Sequence, residues 1–142
     1  MLFQNDEASL NIEVVNYEFA SGGAGGDDLC WLVLRGTYRE DDLLVRDTNS
    51  CLLTYELRDL AAGLKVVRAG IRERYESDFA EPYFALSAQA EGESFRVYVA
   101  FTMPNTMEDL DTAEVFCTMS QEQLSALIDE LDGLCAKFPD RT

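Results

Sequence analysis

The sequence predicts an α+β fold: an antiparallel β-sheet or sandwich of about six to seven strands, packed by two helices, the second of them C-terminal. Three observations carry this. Residues 93–103, ESFRVYVAFTM, alternate Phe95, Val97, Val99, Phe101 and Met103 with Arg96, Tyr98, Ala100 and Thr102, the period of a strand with one buried face. Leu124, Leu127, Ile128, Leu131, Leu134, Cys135 and Phe138 recur at three- and four-residue spacing, the period of a helix with one apolar stripe. The strand-like runs at the start of the chain follow one another with no helix between them, which disfavours a doubly wound parallel sheet.

Taken in order, residues 11–20 (NIEVVNYEFA) are rich in β-branched and aromatic side chains and read as a strand. A glycine-rich connection follows, and residues 28–39 form a second strand whose first half is apolar on both faces, as in the centre of a sheet. Glu40-Asp41-Asp42 is a charged turn into a short third strand, LLVRD. A helix is expected at about 51–65, with Leu53, Leu57, Leu60, Ala61 and Leu64 on one face. Gly63 should weaken its last turns and Gly70 mark a break. A short edge strand at 71–77 precedes 82–90, where Phe84, Leu86 and Ala88 share a side. Glu91-Gly92 then turns this strand into 93–103 as an antiparallel hairpin. An acidic loop, PNTMEDLDTA, leads to a last strand near 113–118. Ser120 and Gln123 form a capping box for the closing helix, which Pro139 stops. At 142 residues, with no linker or repeat, the chain is expected to be one domain over 1–142.

Composition removes whole classes of function. There are 27 acidic residues against 11 basic ones, a formal net charge of −16, which repels nucleic acid and anionic membranes and attracts basic partners. No histidine is present, so neither a Ser-His nor a Cys-His pair can form. Cys30, Cys51, Cys117 and Cys135 have no CxxC spacing, against a zinc site, and are expected to be free, buried and reduced. The N-terminus has no basic region followed by an apolar core, and no stretch approaches the ~20 apolar residues of a membrane span. A cytoplasmic protein is expected.

The motifs are equally spare. The stretch SGGAGG at 21–26 suggests a phosphate loop, but it leads into Asp27, Asp28 and a strand, where a phosphate needs a helix amino end and no adjacent carboxylates. It reads as a hairpin connection. Glu108-Asp109-Leu110-Asp111 is too short and irregular for a calcium loop. Trp31 lies among apolar residues and is expected in the core. Lys65, Arg68, Arg72 and Arg74 sit beside Glu73, Glu76 and Asp78, which predicts internal ion pairing. No catalytic residue, metal or cofactor is expected.

Several stretches, in their shared order, resemble the small bacterial immunity proteins of the WapI type, which neutralise toxic domains delivered by wall-associated proteins. They are Asp27-Asp28-Leu29-Cys30-Trp31-Leu32, Cys51-Leu52-Leu53-Thr54-Tyr55-Glu56-Leu57 opening the first helix, Phe79-Ala80-Glu81-Pro82, and Phe138-Pro139-Asp140-Arg141 after the closing helix. The resemblance implies a non-enzymatic binding protein whose partner is a cognate toxin domain. The net charge makes that partner basic. The acids expected to meet it lie on predicted loops: Asp27 and Asp28, Glu40, Asp41 and Asp42, and Glu108, Asp109 and Asp111. A pocket with convergent polar groups beneath Trp31 would instead mark a small-molecule or metal-binding domain, and a chain with no toxin partner an adaptor or structural protein.

Overall fold

A computed structural model describes residues 1–19, 29–106 and 110–141. Eight strands and two helices follow in the order β1 (Leu2–Gln4), β2 (Ala8–Tyr17), β3 (Trp31–Glu40), β4 (Leu43–Leu53), α1 (Thr54–Arg68), β5 (Arg74–Glu76), β6 (Phe84–Glu91), β7 (Ser94–Thr102), β8 (Thr112–Met119) and α2 (Gln121–Lys137). They make two four-stranded antiparallel sheets, β1-β2-β3-β4 and β5-β6-β7-β8, each a meander in sequence order. The α+β class, the antiparallel pairing and the two helices are as expected. The strand missing from the sequence reading is β1. Three residues are too few to show a period, yet β1 places Phe3 fully in the core.

One face of each sheet joins a shared core with the apolar stripes of the helices. Ile12, Leu32 and Leu34 of the first sheet, Phe84, Val99 and Phe101 of the second, Leu57, Leu60 and Leu64 of α1, and Leu124, Ile128 and Leu131 of α2 are all buried in it. The helices pack on each other, with α1 also meeting β4, β5 and β6, and α2 meeting β7 and β8. The sheets approach closely at Gly36, where an added Cβ would lie 2.3 Å from the Phe101 ring. Only glycine leaves room for that ring. The alternation read from residues 93–103 holds on its apolar face, where Phe95, Val97, Val99, Phe101 and Met103 are buried; on the other face Arg96 is exposed but Ala100 is buried too.

The first helix starts later than expected. Cys51, Leu52 and Leu53 belong to β4, with Leu52 opposite Leu32 and Leu53 opposite Trp31, so the third strand is eleven residues long rather than LLVRD alone. A short apolar run fits a helical stripe and a buried strand equally well, and here sheet pairing decides. A bulge at Cys51 and another at Val15 flank the same part of β3, bending the sheet there. Gly63 is not a weak point. The Tyr75 ring occupies the space its side chain would take, 2.1 Å from an added Cβ, and the helix continues to Arg68. Ala69 caps it, and Gly70 follows with a φ of 76°, in the left-handed region that turns the chain away. In α2 the capping box is complete: Ser120 Oγ accepts from the Gln123 amide at 3.1 Å, and Gln123 Oε1 accepts from the Ser120 amide at 2.8 Å.

Candidate partner-binding surface

The stretches that carry the resemblance meet one another, through hydrogen bonds that make them internal ties. Glu56, buried in the first turn of α1, accepts the Leu53 amide at 3.0 Å and the Ala80 amide at 2.7 Å. One carboxylate thus caps the helix and fastens the segment before β6. Asp140 accepts from Thr54 Oγ1 and from Arg58, each at 2.6 Å. The Arg58 bond first, and then the Thr54 bond, hold its carboxyl below the usual range. Arg141 donates to the carbonyls of Leu29 and Phe19, and its guanidinium lies 3.6 Å from the centroid of the Tyr17 ring. The tail after α2 therefore clamps the start of α1 and the residues flanking the glycine-rich connection.

With those acids committed internally, the exposed ones define the surface. Glu40, Asp41 and Asp42 form the β3–β4 turn, all exposed, with Asp41 at φ 50°, a left-handed conformation that aspartate tolerates. Ala8 pairs opposite Glu40, so the β1–β2 turn, with Asp6 and Glu7, lies at the same end of the sheet. Asn5 builds this second turn: its Oδ1 accepts the amides of Glu7 at 2.8 Å and Ala8 at 2.9 Å. The Tyr38 hydroxyl donates to Glu40 at 3.0 Å. Burial, then the bond to Glu40, then the charges of Glu40 and Glu7 push its pKa up. Among the described residues, none of these five carboxylates has a cation within ion-pair distance. Sequence reasoning missed Asp6 and Glu7. Their signal, the NDE triplet between two apolar stretches, gains meaning once β1 is known to be a strand.

The other expected site residues are distributed elsewhere. Asp111 is exposed before β8, where its carbonyl accepts the Met103 amide. The same connection is fastened to the edge strand β4 by Asp47, a buried carboxylate that accepts the Asn105 amide at 2.9 Å. Asp27, Asp28, Glu108 and Asp109 lie outside the described residues. Of the basic cluster, Arg74 pairs with Glu76 as expected, but Lys65 reaches across to Asp132 on α2 and Arg68 donates to Ser125.

Trp31 is half-buried rather than in the core: it sits on the outer face of β3, next to the fully buried Leu32. It is not among the residues lining the clefts beside α1, α2 and β8. The four cysteines are unpaired; Cys30 and Cys51 are buried, whereas Cys117 and Cys135 are half-buried, more exposed than expected. Burial, and then the charges of Glu56 and Glu81, push the Cys51 thiol up to about 12. Cys117 and Cys135 are also raised, chiefly by burial, so these three are protonated at neutral pH and poor nucleophiles. Among the described residues, no three cysteine or acidic side chains cluster as metal ligands would. No helix there is long and apolar enough to cross a membrane.

Comparison with known proteins agrees with the resemblance. The immunity protein WapI-like family matches residues 1–139, and the chain belongs to that family. No curated protein matches it. Two solved structures are similar: WHY3 from Arabidopsis thaliana, at 16% identity and a TM-score of 0.50 over 97% of this chain and 86% of that one, and the plant transcriptional regulator PBF-2, at 13% identity and a TM-score of 0.49 over 96% and 79%. At such identity the first shows a common fold and nothing about partners.

Proposed function

We propose that this member of the WapI-like immunity family is a non-enzymatic protein that neutralises a cognate toxin domain by binding it, with an acidic surface that draws in a basic partner. The observation that carries the electrostatic part is the pair of adjoining turns holding Asp6, Glu7, Glu40, Asp41 and Asp42, five exposed carboxylates with no cation within ion-pair distance among the described residues. Folding gains nothing from crowding like charges at one end of a sheet. A basic partner gains a field that raises its encounter rate by about 10- to 1,000-fold at low salt. Asp27, Asp28, Glu108, Asp109 and Asp111 extend the same reading to two further stretches of the sequence. The unpaired thiols suit a cytoplasmic location.

The test is association kinetics with the toxin domain encoded beside this chain's gene, at two salt concentrations. The triple variant Glu40→Gln, Asp41→Asn, Asp42→Asn should lower the on-rate about 3- to 10-fold at low salt, with the gap closing as salt rises. Folding stability should change by less than about 0.5 kcal/mol. The corresponding triple at Glu108, Asp109 and Asp111 ranks the two loops. A salt-independent on-rate, unchanged in both variants, would reduce the acidity to a solubility device. Absence of a toxin that the chain binds would end the immunity reading.

A further inference from the structure

The open face of the second sheet carries a feature that charge alone does not explain. Phe116 of β8 is 64% exposed, and it is not loose: its ring lies 4.7 Å, centroid to centroid, from that of Tyr98, directly opposite on β7. Leu2, Val15, Phe19, Leu44 and Ile71 are also large, apolar and exposed, but among the described residues Phe19 meets no other aromatic ring, and the rest are aliphatic. The Tyr98 hydroxyl donates to the Glu114 carboxylate at 2.8 Å, which fixes both the ring and the acid. The Phe116 carbonyl accepts Asn5 Nδ2 at 2.8 Å, and the same Asn5 shapes the turn holding Asp6 and Glu7. The aromatic pair and the acidic turn are thus joined by one side chain.

The charges around the pair do not cancel. Arg74 and Arg96 line a cleft of about 200 Å3 beside the rings. Each is matched by its own carboxylate, Glu76 at 3.6 Å and Glu91 at 3.3 Å. Glu114, Asp6 and Glu7 have no cation within ion-pair distance among the described residues. What remains is an exposed aromatic face with one unmatched carboxylate, Glu114, held beside it, and an acidic turn joined to it through Asn5. Such a surface holds a flat cation, because the ring quadrupole and the carboxylate attract the same charge. Exposed aromatic anchors also carry most of the energy of protein interfaces, whereas rim charges chiefly set the on-rate.

We propose that Phe116 and Tyr98 anchor the complex, and that their occupant is an arginine side chain of the basic partner domain, its guanidinium lying on the Phe116 ring and reaching the Glu114 carboxylate. This rests on the reading of the chain as a binder of a basic domain, and it adds where the partner is held and by what group. Arginine fits better than lysine. Its guanidinium is planar, weakly hydrated and able to meet a carboxylate with two N–H groups, whereas an ammonium is a strongly hydrated point charge.

The test uses the full chain and two peptides of equal charge, hexa-arginine and hexa-lysine, titrated calorimetrically at physiological salt. Hexa-arginine should bind about two- to fivefold more tightly than hexa-lysine, up to the full value of one exposed cation–π contact. Phe116→Ala should remove that preference, and Phe116→Leu, which keeps apolar bulk without a ring, should remove it too. Tyr98→Phe keeps the ring pair and should retain it. Equal affinity for the two peptides, or a preference unaltered in both Phe116 variants, overturns the proposal. So does dimerisation of the chain alone that Phe116→Ala abolishes, because the occupant is then a second copy. With the toxin, Phe116→Ala should raise the off-rate tenfold or more and leave the on-rate nearly unchanged. A toxin bound equally well by Phe116→Ala sinks this anchor but not the immunity reading. A toxin that wild type ignores sinks that reading, while the peptide result still decides the anchor.

Discussion

Replacing Glu56 should cost this fold more than replacing any exposed acid, and the cost can be worked from its two bonds. The carboxylate accepts one amide at each oxygen, from Leu53 at 3.0 Å and from Ala80 at 2.7 Å. Hydrogen bonds to a charged group contribute about 1.5–3 kcal/mol each. The two losses differ in kind. Ala80 is exposed, so water can take its amide once the acid is gone. Leu53 is 2% exposed, so its amide would remain unpaired and carry a desolvation cost of about 1–3 kcal/mol. Glu56→Ala should therefore destabilise by about 2.5–6 kcal/mol, the Ala80 bond and the stranded Leu53 amide together. Glu56→Gln keeps one acceptor and turns an NH2 group toward the other amide, for about 1–2 kcal/mol. Urea unfolding at neutral pH reads both, with a midpoint shift of about 1–3 M for Glu56→Ala at typical slopes. Amide hydrogen exchange gives an independent check, since Leu53 and Ala80 should lose protection in Glu56→Gln before the rest of the core does. A Glu56→Ala variant within 0.5 kcal/mol of wild type would refute the reasoning, because the carboxylate would then not be tying helix to strand.

Two further outcomes follow from the packing and the titrating groups. Gly36→Ala drives a methyl to within 2.3 Å of the fully buried Phe101 ring and should cost about 1–3 kcal/mol; combining it with Phe101→Leu should cost less than the sum of the two singles, and strict additivity would mean that the sheets do not meet there. Tyr75 and Tyr98 should titrate late, at about 12, mainly through burial, and for Tyr98 then through the bond to Glu114. A raised folded-state pKa favours the protonated form, so this stabilisation is complete below the unfolded value near 10 and lost as pH rises through about 12. Absorbance at alkaline pH should show these two lagging, and Tyr98→Phe should remove one of them; six tyrosines titrating together near 10 would contradict the packing of Tyr75 on Gly63 and the Tyr98–Glu114 bond.

Elements whose stabilising pattern is local were legible. The capping box at Ser120–Gln123, the stripe from Leu124 to Leu131 and the alternation from Phe95 to Met103 each appear within one window of sequence, and each stands in the structure as expected. The first helix boundary was not, because Cys51-Leu52-Leu53 satisfies two periods and the choice was made by Leu32 and Trp31 across the sheet. Gly63 was misjudged for a related reason. Its role is set by Tyr75, twelve positions away, whose ring needs the missing side chain.

The candidate surface divides in the same way. Excess acid, the absence of histidine and the acidic turn at Glu40–Asp42 are facts of composition and local order, and they fixed early what kinds of partner and chemistry to set aside. Neighbourhood is not a local property. That Asp6 and Glu7 join Glu40, that Asn5 links them to Phe116, and that Tyr98 and Glu114 back that ring depend on strand register and on one sheet meeting another. Sequence alone determined the class of fold, the sign of the field and the amphipathic elements, because each follows from side chains within a few residues of one another. Only tertiary structure decided which acids face solvent together and which, like Glu56 and Asp47, are spent on buried amides, because a carboxylate's role is set by the donors that long-range packing brings to it.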